Sequence, residues 1–249
     1  GGTGIYDAGN YTKIDGNGIH WPASYGIHHA SGDMVTISSN TLMGPGNYGI
    51  FVDGGSDTVY SPVVTGNMVY NPAGSVGIYP YYTQACTVSG NNIYAPTTYG
   101  IYCYESDYLS ITGNNVMFGG SSVCIYLAGY NQFCTVTGNN TYSGPYGIYL
   151  SSTANDAHTI TGNQCRLHSS YGLFLNDAFC SVVGNRFDAS GYGIYATGNA
   201  DWCTIVGNEI QYNTNWGLYL AAGSDQHAVG DNSGSISNNG AGNALSNNK

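Results

Sequence analysis

Apolar and polar positions alternate in short bursts along this chain. In Ile148-Tyr149-Leu150 the aliphatic residues share one face and Tyr149 takes the other; in Thr159-Ile160-Thr161 one apolar side chain sits between two hydroxyls. A period of two predicts strands, and no stretch carries the 3.6-residue period of a helix. A third short strand follows, as in Asn91-Asn92-Ile93-Tyr94 and in Asn208-Glu209-Ile210-Gln211. Gly, Asn and Ser separate these bursts, the residue types that turns favour.

The three-strand unit repeats. YGIYLSSTANDAHTITGN from Tyr146 is nearly restated as YGIYCYESDYLSITGN from Tyr99 and as YGIYATGNADWCTIVGN from Tyr192. The closing Asn recurs at Asn17, Asn40, Asn67, Asn91, Asn114, Asn139, Asn163, Asn185 and Asn208, with Asp231 in the tenth place, at intervals of 22 to 27 residues. The apolar anchor keeps the same beat, from Ile5, Ile27, Ile50 and Ile78 through Ile101, Ile125 and Ile148 to Leu173, Ile194 and Leu218. A unit that cannot bury its own apolar face must stack on its neighbours, so the pattern predicts an all-β solenoid of about ten coils with three short strands each. At about 4.8 Å per coil, the rod is on the order of 48 Å long. Gly77, Gly100, Gly147 and Gly193, just before the anchor, are expected to permit a tight bend or positive φ. Identical Asn side chains stacked over one another are expected to bond one another and the turn backbone.

Composition narrows the partners. Lys13, Arg166, Arg186 and Lys249 stand against fourteen acidic residues, which leaves almost nothing to neutralise a phosphate backbone or an anionic membrane surface. No apolar run is long enough to cross a bilayer. Seven cysteines show no CxxC or Cys/His zinc spacing, so neither a metal nor a cofactor is expected. Cys86, Cys134, Cys180 and Cys203 lie five residues before the repeated Asn, where other copies place Val35, Leu109 or His158, and read as small core residues. A disulfide between Cys180 and Cys203 would need side chains that point at each other, whereas stacked ones run parallel.

The units GIY, T[IV]TGN and N-x-[IV]-Y resemble the single-stranded right-handed parallel β-helix repeat over about residues 1 to 232, leaving 233–249 as a low-complexity tail rich in Gly, Ser and Asn. That architecture is shared by pectate-lyase-like enzymes, phage tailspikes, alginate epimerases and many bacterial surface proteins. The resemblance implies the fold and leaves the activity open.

The residue after the anchor points outward: Tyr79, Tyr102, Tyr126, Tyr149, Phe174, Tyr195 and Tyr219 form an aromatic stripe. Three readings stand beside one another: ring stacking that only stabilises the sheet, a subunit interface (a trimer or filament), and contact with a surface polysaccharide. A further outward column runs through Tyr70, Tyr94, Tyr142, Arg166 and Asp188, the last two read as a cross-coil ion pair. Asp33, Asp107, Asp156 and Asp201 lie seven residues before the Asn, with Asp177 one place off. Carboxylates two coils apart would stand about 9.6 Å from each other, near the limit for an inverting glycosidase, yet Asp also suits a turn before a strand. Asp156, Asp177 and Arg166 are the candidate catalytic residues, and they would matter if they converged in one groove. No Ser/His/Asp order emerges from the six histidines.

Two functions are expected. One is a non-catalytic extracellular rod at a cell or virion surface, such as a tail-fibre or tailspike segment or an adhesin. The other is a polysaccharide lyase or glycoside hydrolase. The first coil carries no recognisable cap, so a partner or further chain is expected to cover it, and light scattering should find trimers or filaments.

Overall fold

The computed structural model describes residues 2–55, 57–72, 76–117, 123–152 and 157–248. Its strands pair in parallel, coil upon coil. Ile50 stands opposite Ile27 and Ile78, and the register continues through Ile101, Ile125, Ile148, Leu173 and Ile194 to Leu218. First and third strands of the coils belong to one large sheet, and the second strands form an opposing one. The chain is a right-handed parallel β-helix, as the repeat predicts.

The interior is a set of aliphatic columns. Ile50, Ile78, Ile101, Ile125 and Ile148 are completely buried, as are Val64, Val88, Ile111, Val136 and Ile160 on the second strands. Each such side chain removed from water contributes about 1.5–3 kcal/mol, and no single coil can collect that alone. Stacking is therefore the fold's driving force.

The Asn column is a continuous internal ladder. Asn139 donates from its backbone N to Asn163 Oδ1 at 2.9 Å, and its Nδ2 donates to the same oxygen at 3.0 Å and to the Ile111 carbonyl at 2.8 Å. Its own Oδ1 accepts from the backbone N and Nδ2 of Asn114 at 2.9 and 3.0 Å. Asn40, Asn67, Asn91, Asn163, Asn185 and Asn208 repeat this arrangement. A buried corner thereby keeps its polar groups paired.

Two details differ from the sequence reading. The tenth rung is Asn232, not Asp231: Asn208 donates to Asn232 Oδ1 at 3.0 Å, and Asp231 takes the left-handed position (φ 52°) that Gly fills in the usual Gly-Asn pair. The described part of the stretch 233–249, residues 233–248, continues the coils. Ile236–Asn238 pairs with Leu218–Leu220, Ala244–Ser246 pairs with Ala228–Gly230, and Asn232 Nδ2 donates to Asn248 Oδ1 at 3.3 Å. A shortened unit, with Asn248 only sixteen residues after Asn232, still closes a coil because loops rather than strands were lost.

The glycines before the anchor serve a different purpose from a positive φ. Gly77, Gly100, Gly147 and Gly193 are not among the left-handed residues; a Cβ at Gly100 would stand 2.5 Å from the Cys124 carbonyl oxygen of the next coil and collide with Val116. Close backbone approach, repeated coil by coil, requires glycine there. All seven cysteines are buried, and burial pushes the Cys86 and Cys165 thiols up to about 12. Cys203 differs, its thiol lowered to about 6 by a hydrogen bond with Cys180 and by His227, and its burial keeps it from solvent.

Candidate functional site

The outward aromatics form an unbroken line of ring contacts. It runs from Tyr6 through His28, Phe51, Tyr79, Tyr102, Tyr126, Tyr149, Phe174 and Tyr195 to Tyr219, with centroids 4.4–5.7 Å apart. Parallel pairing sets this spacing, because each ring sits one inter-strand distance from the next. Stacking is worth about 0.5–1.5 kcal/mol per pair beyond burial. From Tyr79 to Tyr219 the rings are half-buried. Desolvation lifts the Tyr79 and Tyr102 phenols far above their ordinary value, so they remain neutral.

A second aromatic column flanks the first, formed by Tyr25, Tyr48, Tyr99, Tyr146, Tyr171 and Tyr192. These residues precede the anchor by two, so strict alternation would turn them inward. The bend at the intervening Gly turns them out beside the stripe, as in Tyr99–Tyr102 at 4.7 Å. The signal was in the quoted YGIY units. Val76 and Val123 interrupt this column, and the gap at Val123 opens a pocket of about 210 Å³ among Tyr99, Tyr126, Tyr146 and Tyr149.

The acidic candidates go elsewhere. Asp33 accepts the Tyr60 N–H at 2.9 Å, Asp107 that of Gln132 at 2.9 Å, and Asp201 that of Asp225 at 2.8 Å. Each carboxylate thus pins the turn of the following coil. Asp177 is buried, with its Oδ2 3.6 Å from His158 Nε2, beyond hydrogen-bond reach. Arg166 lies on the outer face and pairs with Asp188 at 3.3 Å, and Arg186 joins the same carboxylate at 3.1 Å. Asp156 lies outside the described residues. Asp177 and Arg166 do not meet in one groove. His158 and His168 are buried and lowered to about 4 by desolvation; His158 Nδ1 accepts the Cys134 N–H at 3.2 Å.

With this geometry in place, comparison with known proteins is direct. A family model described as the right-handed β-helix region matches residues 2–165. The chain belongs to the right-handed β-helix family. The family model described as periplasmic copper-binding protein (NosD) matches residues 116–249, just over half of this β-helix, and places it in that family as well. No curated protein matches. Among solved structures, a double mutant of the periplasmic alginate epimerase AlgG superposes with a TM-score of 0.74 at 15% identity, over 98% of this chain and 70% of that one. The A-module of Azotobacter vinelandii mannuronan C-5 epimerase AlgE6 gives 0.67 at 11%, over 100% and 82%. Tailspike protein 3 of bacteriophage CBA120 gives 0.50 at 12%, over 90% and 45%. At such identities the likeness is one of fold.

The NosD description raises copper, and the side chains do not fit it. Among the described residues no three His, Cys, Asp or Glu side chains converge to hold a metal ion. The cysteine thiols are buried in the core columns, and Cys103 and Cys124 are held well above their ordinary pKa by desolvation. Among the described residues no helix is long and apolar enough to cross a membrane.

Proposed function

We propose that this β-helix is a non-catalytic, glycan-contacting rod that works outside the cytoplasm, with the double tyrosine column as its contact face. The observation that carries this reading is the unbroken line of half-open rings from Tyr79 to Tyr219, with a second column beside it. Neutral aromatic faces with hydroxyl tips suit the apolar faces and hydroxyls of sugar rings. The net charge of −10 favours a neutral or cationic glycan over a polyuronate, whose carboxylates would be repelled. Kinship with periplasmic and virion-surface proteins supports the compartment. Sister subunits are the competing occupant of the same face, since a large aromatic surface also suits assembly.

A polysaccharide lyase or glycoside hydrolase is the second reading. It is favoured by the superposition on alginate-modifying enzymes across almost the whole chain. Against it stand the separate surroundings of Asp177 and Arg166 and the structural use of Asp33, Asp107 and Asp201.

Affinity electrophoresis through gels containing neutral or polyuronate polysaccharide separates these readings. Retardation by neutral polymer that disappears in Tyr126→Ala/Tyr149→Ala is expected. Retardation by polyuronate alone, or release of shortened or unsaturated sugars, would overturn the non-catalytic reading.

A further inference from the structure

Away from the aromatic ladder, a second concave site lies on the loop side of the coils, before their second strands. It is a pocket of about 260 Å³ lined by Thr58, Tyr60, Tyr82, Thr83, Gln84, Glu105, Asp107 and Tyr130. A short extra pair of strands, Val59–Tyr60 with Thr83–Gln84, continued by a bridge from Gln84 to Asp107, forms its floor. The fold needs this lining less than it needs the core. Tyr60, Tyr82 and Tyr130 are 49%, 37% and 58% exposed.

The corner that supplies two of these residues is informative. Tyr82 and Glu105 stand opposite Gly54 and Gly129 of the flanking coils and take the left-handed conformation at φ 49° and 51°, as Gly129 does and as Tyr108 and Phe133 do at a neighbouring corner. A non-glycine residue there costs about 1–2 kcal/mol. Both strained side chains face the same pocket. Left-handed corners recur throughout the coils, so what sets this place apart is the concave grouping of exposed tyrosines and carboxylates drawn from separate coils.

Charge identifies the ligand class. Glu105 and Asp107 bring two carboxylates to three tyrosine rings. The basic residues with described placement are already paired elsewhere: Lys13 with Asp15, Arg166 with Asp188, and Arg186 with Asp188 and Glu209. Aromatic faces next to carboxylates attract organic cations. The volume falls below the about 300–1,000 Å³ of pockets for drug-sized ligands, so it admits a single ring-sized unit. Thr58, Thr83 and Gln84 offer the neutral hydrogen-bonding groups that a sugar's hydroxyls require.

We propose that the pocket formed by Tyr60, Tyr82, Glu105, Asp107 and Tyr130 binds an amino-sugar unit with a free, protonated amine. The ammonium lies against Glu105 and Asp107, and the ring lies against the tyrosines. This site is separate from the tyrosine ladder, and its failure would leave the ladder reading untouched.

Isothermal titration of the full chain carrying Tyr126→Ala/Tyr149→Ala, which silences the ladder, with a glucosamine tetramer, its fully N-acetylated counterpart and a tetralysine peptide tests the assignment. Acetylation removes the charge and keeps the ring; tetralysine keeps the charge and removes the ring. The glucosamine tetramer is expected to bind about tenfold or more tighter than either. In that background Glu105→Gln and, independently, Tyr130→Ala should each weaken it about tenfold. Thermal melts of the same variants check folding; Tyr130 is exposed enough that its loss leaves the coil intact. Equal binding of the acetylated tetramer, equal binding of tetralysine, or no binding of the glucosamine tetramer would each overturn the proposal.

Discussion

Replacing Asn139 by alanine removes one rung from the middle of the ladder. Three buried groups lose their partners: the Asn114 N–H, one Asn114 Nδ2–H, and the Ile111 carbonyl that Asn139 Nδ2 reaches at 2.8 Å. At about 1–3 kcal/mol for each stranded group, less what water recovers, the loss comes to about 3–6 kcal/mol. The position is 1% exposed, so little water enters. Asn17 provides an internal comparison. It sits at the N-terminal end of the ladder, donates to Asn40 Oδ1 at 2.9 Å, and is partly open to solvent. Asn17→Ala should cost less than about 1 kcal/mol, because water can satisfy what it leaves behind. Urea denaturation followed by far-ultraviolet circular dichroism reads both variants against the parent. Native-state hydrogen exchange should show faster opening around Asn114 in Asn139→Ala alone. Equal losses at the two positions, or a loss at Asn139 below about 1 kcal/mol, would refute the reasoning that burial makes the ladder stabilising.

Other consequences can be measured on the same preparation. Gly100→Ala should cost at least about 1–3 kcal/mol, seen as a lower melting temperature, because its Cβ would press on the Cys124 carbonyl of the next coil; an unchanged melting temperature would remove close approach as the reason for glycine. His158 and His168 have folded pKa values near 4 against 6.5, so the unfolded chain binds more protons between those values. Stability therefore falls as pH drops from about 6.5 to about 4, by about 3 kcal/mol for each histidine. In His158→Cys, which copies its neighbours Cys134 and Cys180, urea midpoints against pH should show a shallower acid slope, and an identical slope would contradict the assignment. Thiol labelling should find the seven cysteines unreactive in the native protein and reactive in urea, since all are buried; rapid native labelling would speak against the core columns.

Much of the fold was legible because the repeat restates it. An apolar residue between two hydroxyls, followed by Gly-Asn, fixes strand, corner and inward face at once, and each copy confirms the others. The C-terminal stretch hid from that logic because its unit is shorter and polar; Ile236, Leu245 and Asn248 keep the beat. Spacing alone points to Asp231 as the rung, whereas the Gly-Asn pairing of types puts Asp231 in the place of Gly and Asn232 in that of Asn. The stripe from Tyr79 to Tyr219 follows from alternation. The Tyr48 and Tyr99 column does not, since a bend at glycine breaks the period of two. Least legible was the pocket around Tyr82 and Glu105, where residues from separate coils meet and no repeat spacing marks them.

The winding itself can be measured across its length. Thr65 and Val206 are linked by six successive strand pairings, through Ser89, Thr112, Thr137, Thr161 and Val183. At about 4.8 Å per step they lie about 29 Å apart along the axis. Nitroxides on Thr65→Cys and Val206→Cys, with the buried native thiols unlabelled, give that distance by double electron–electron resonance. A narrow distribution near 29 Å is expected; a broad one, or a peak far from it, would contradict the stacked coils on which the ladder, the stripe and the pocket all depend.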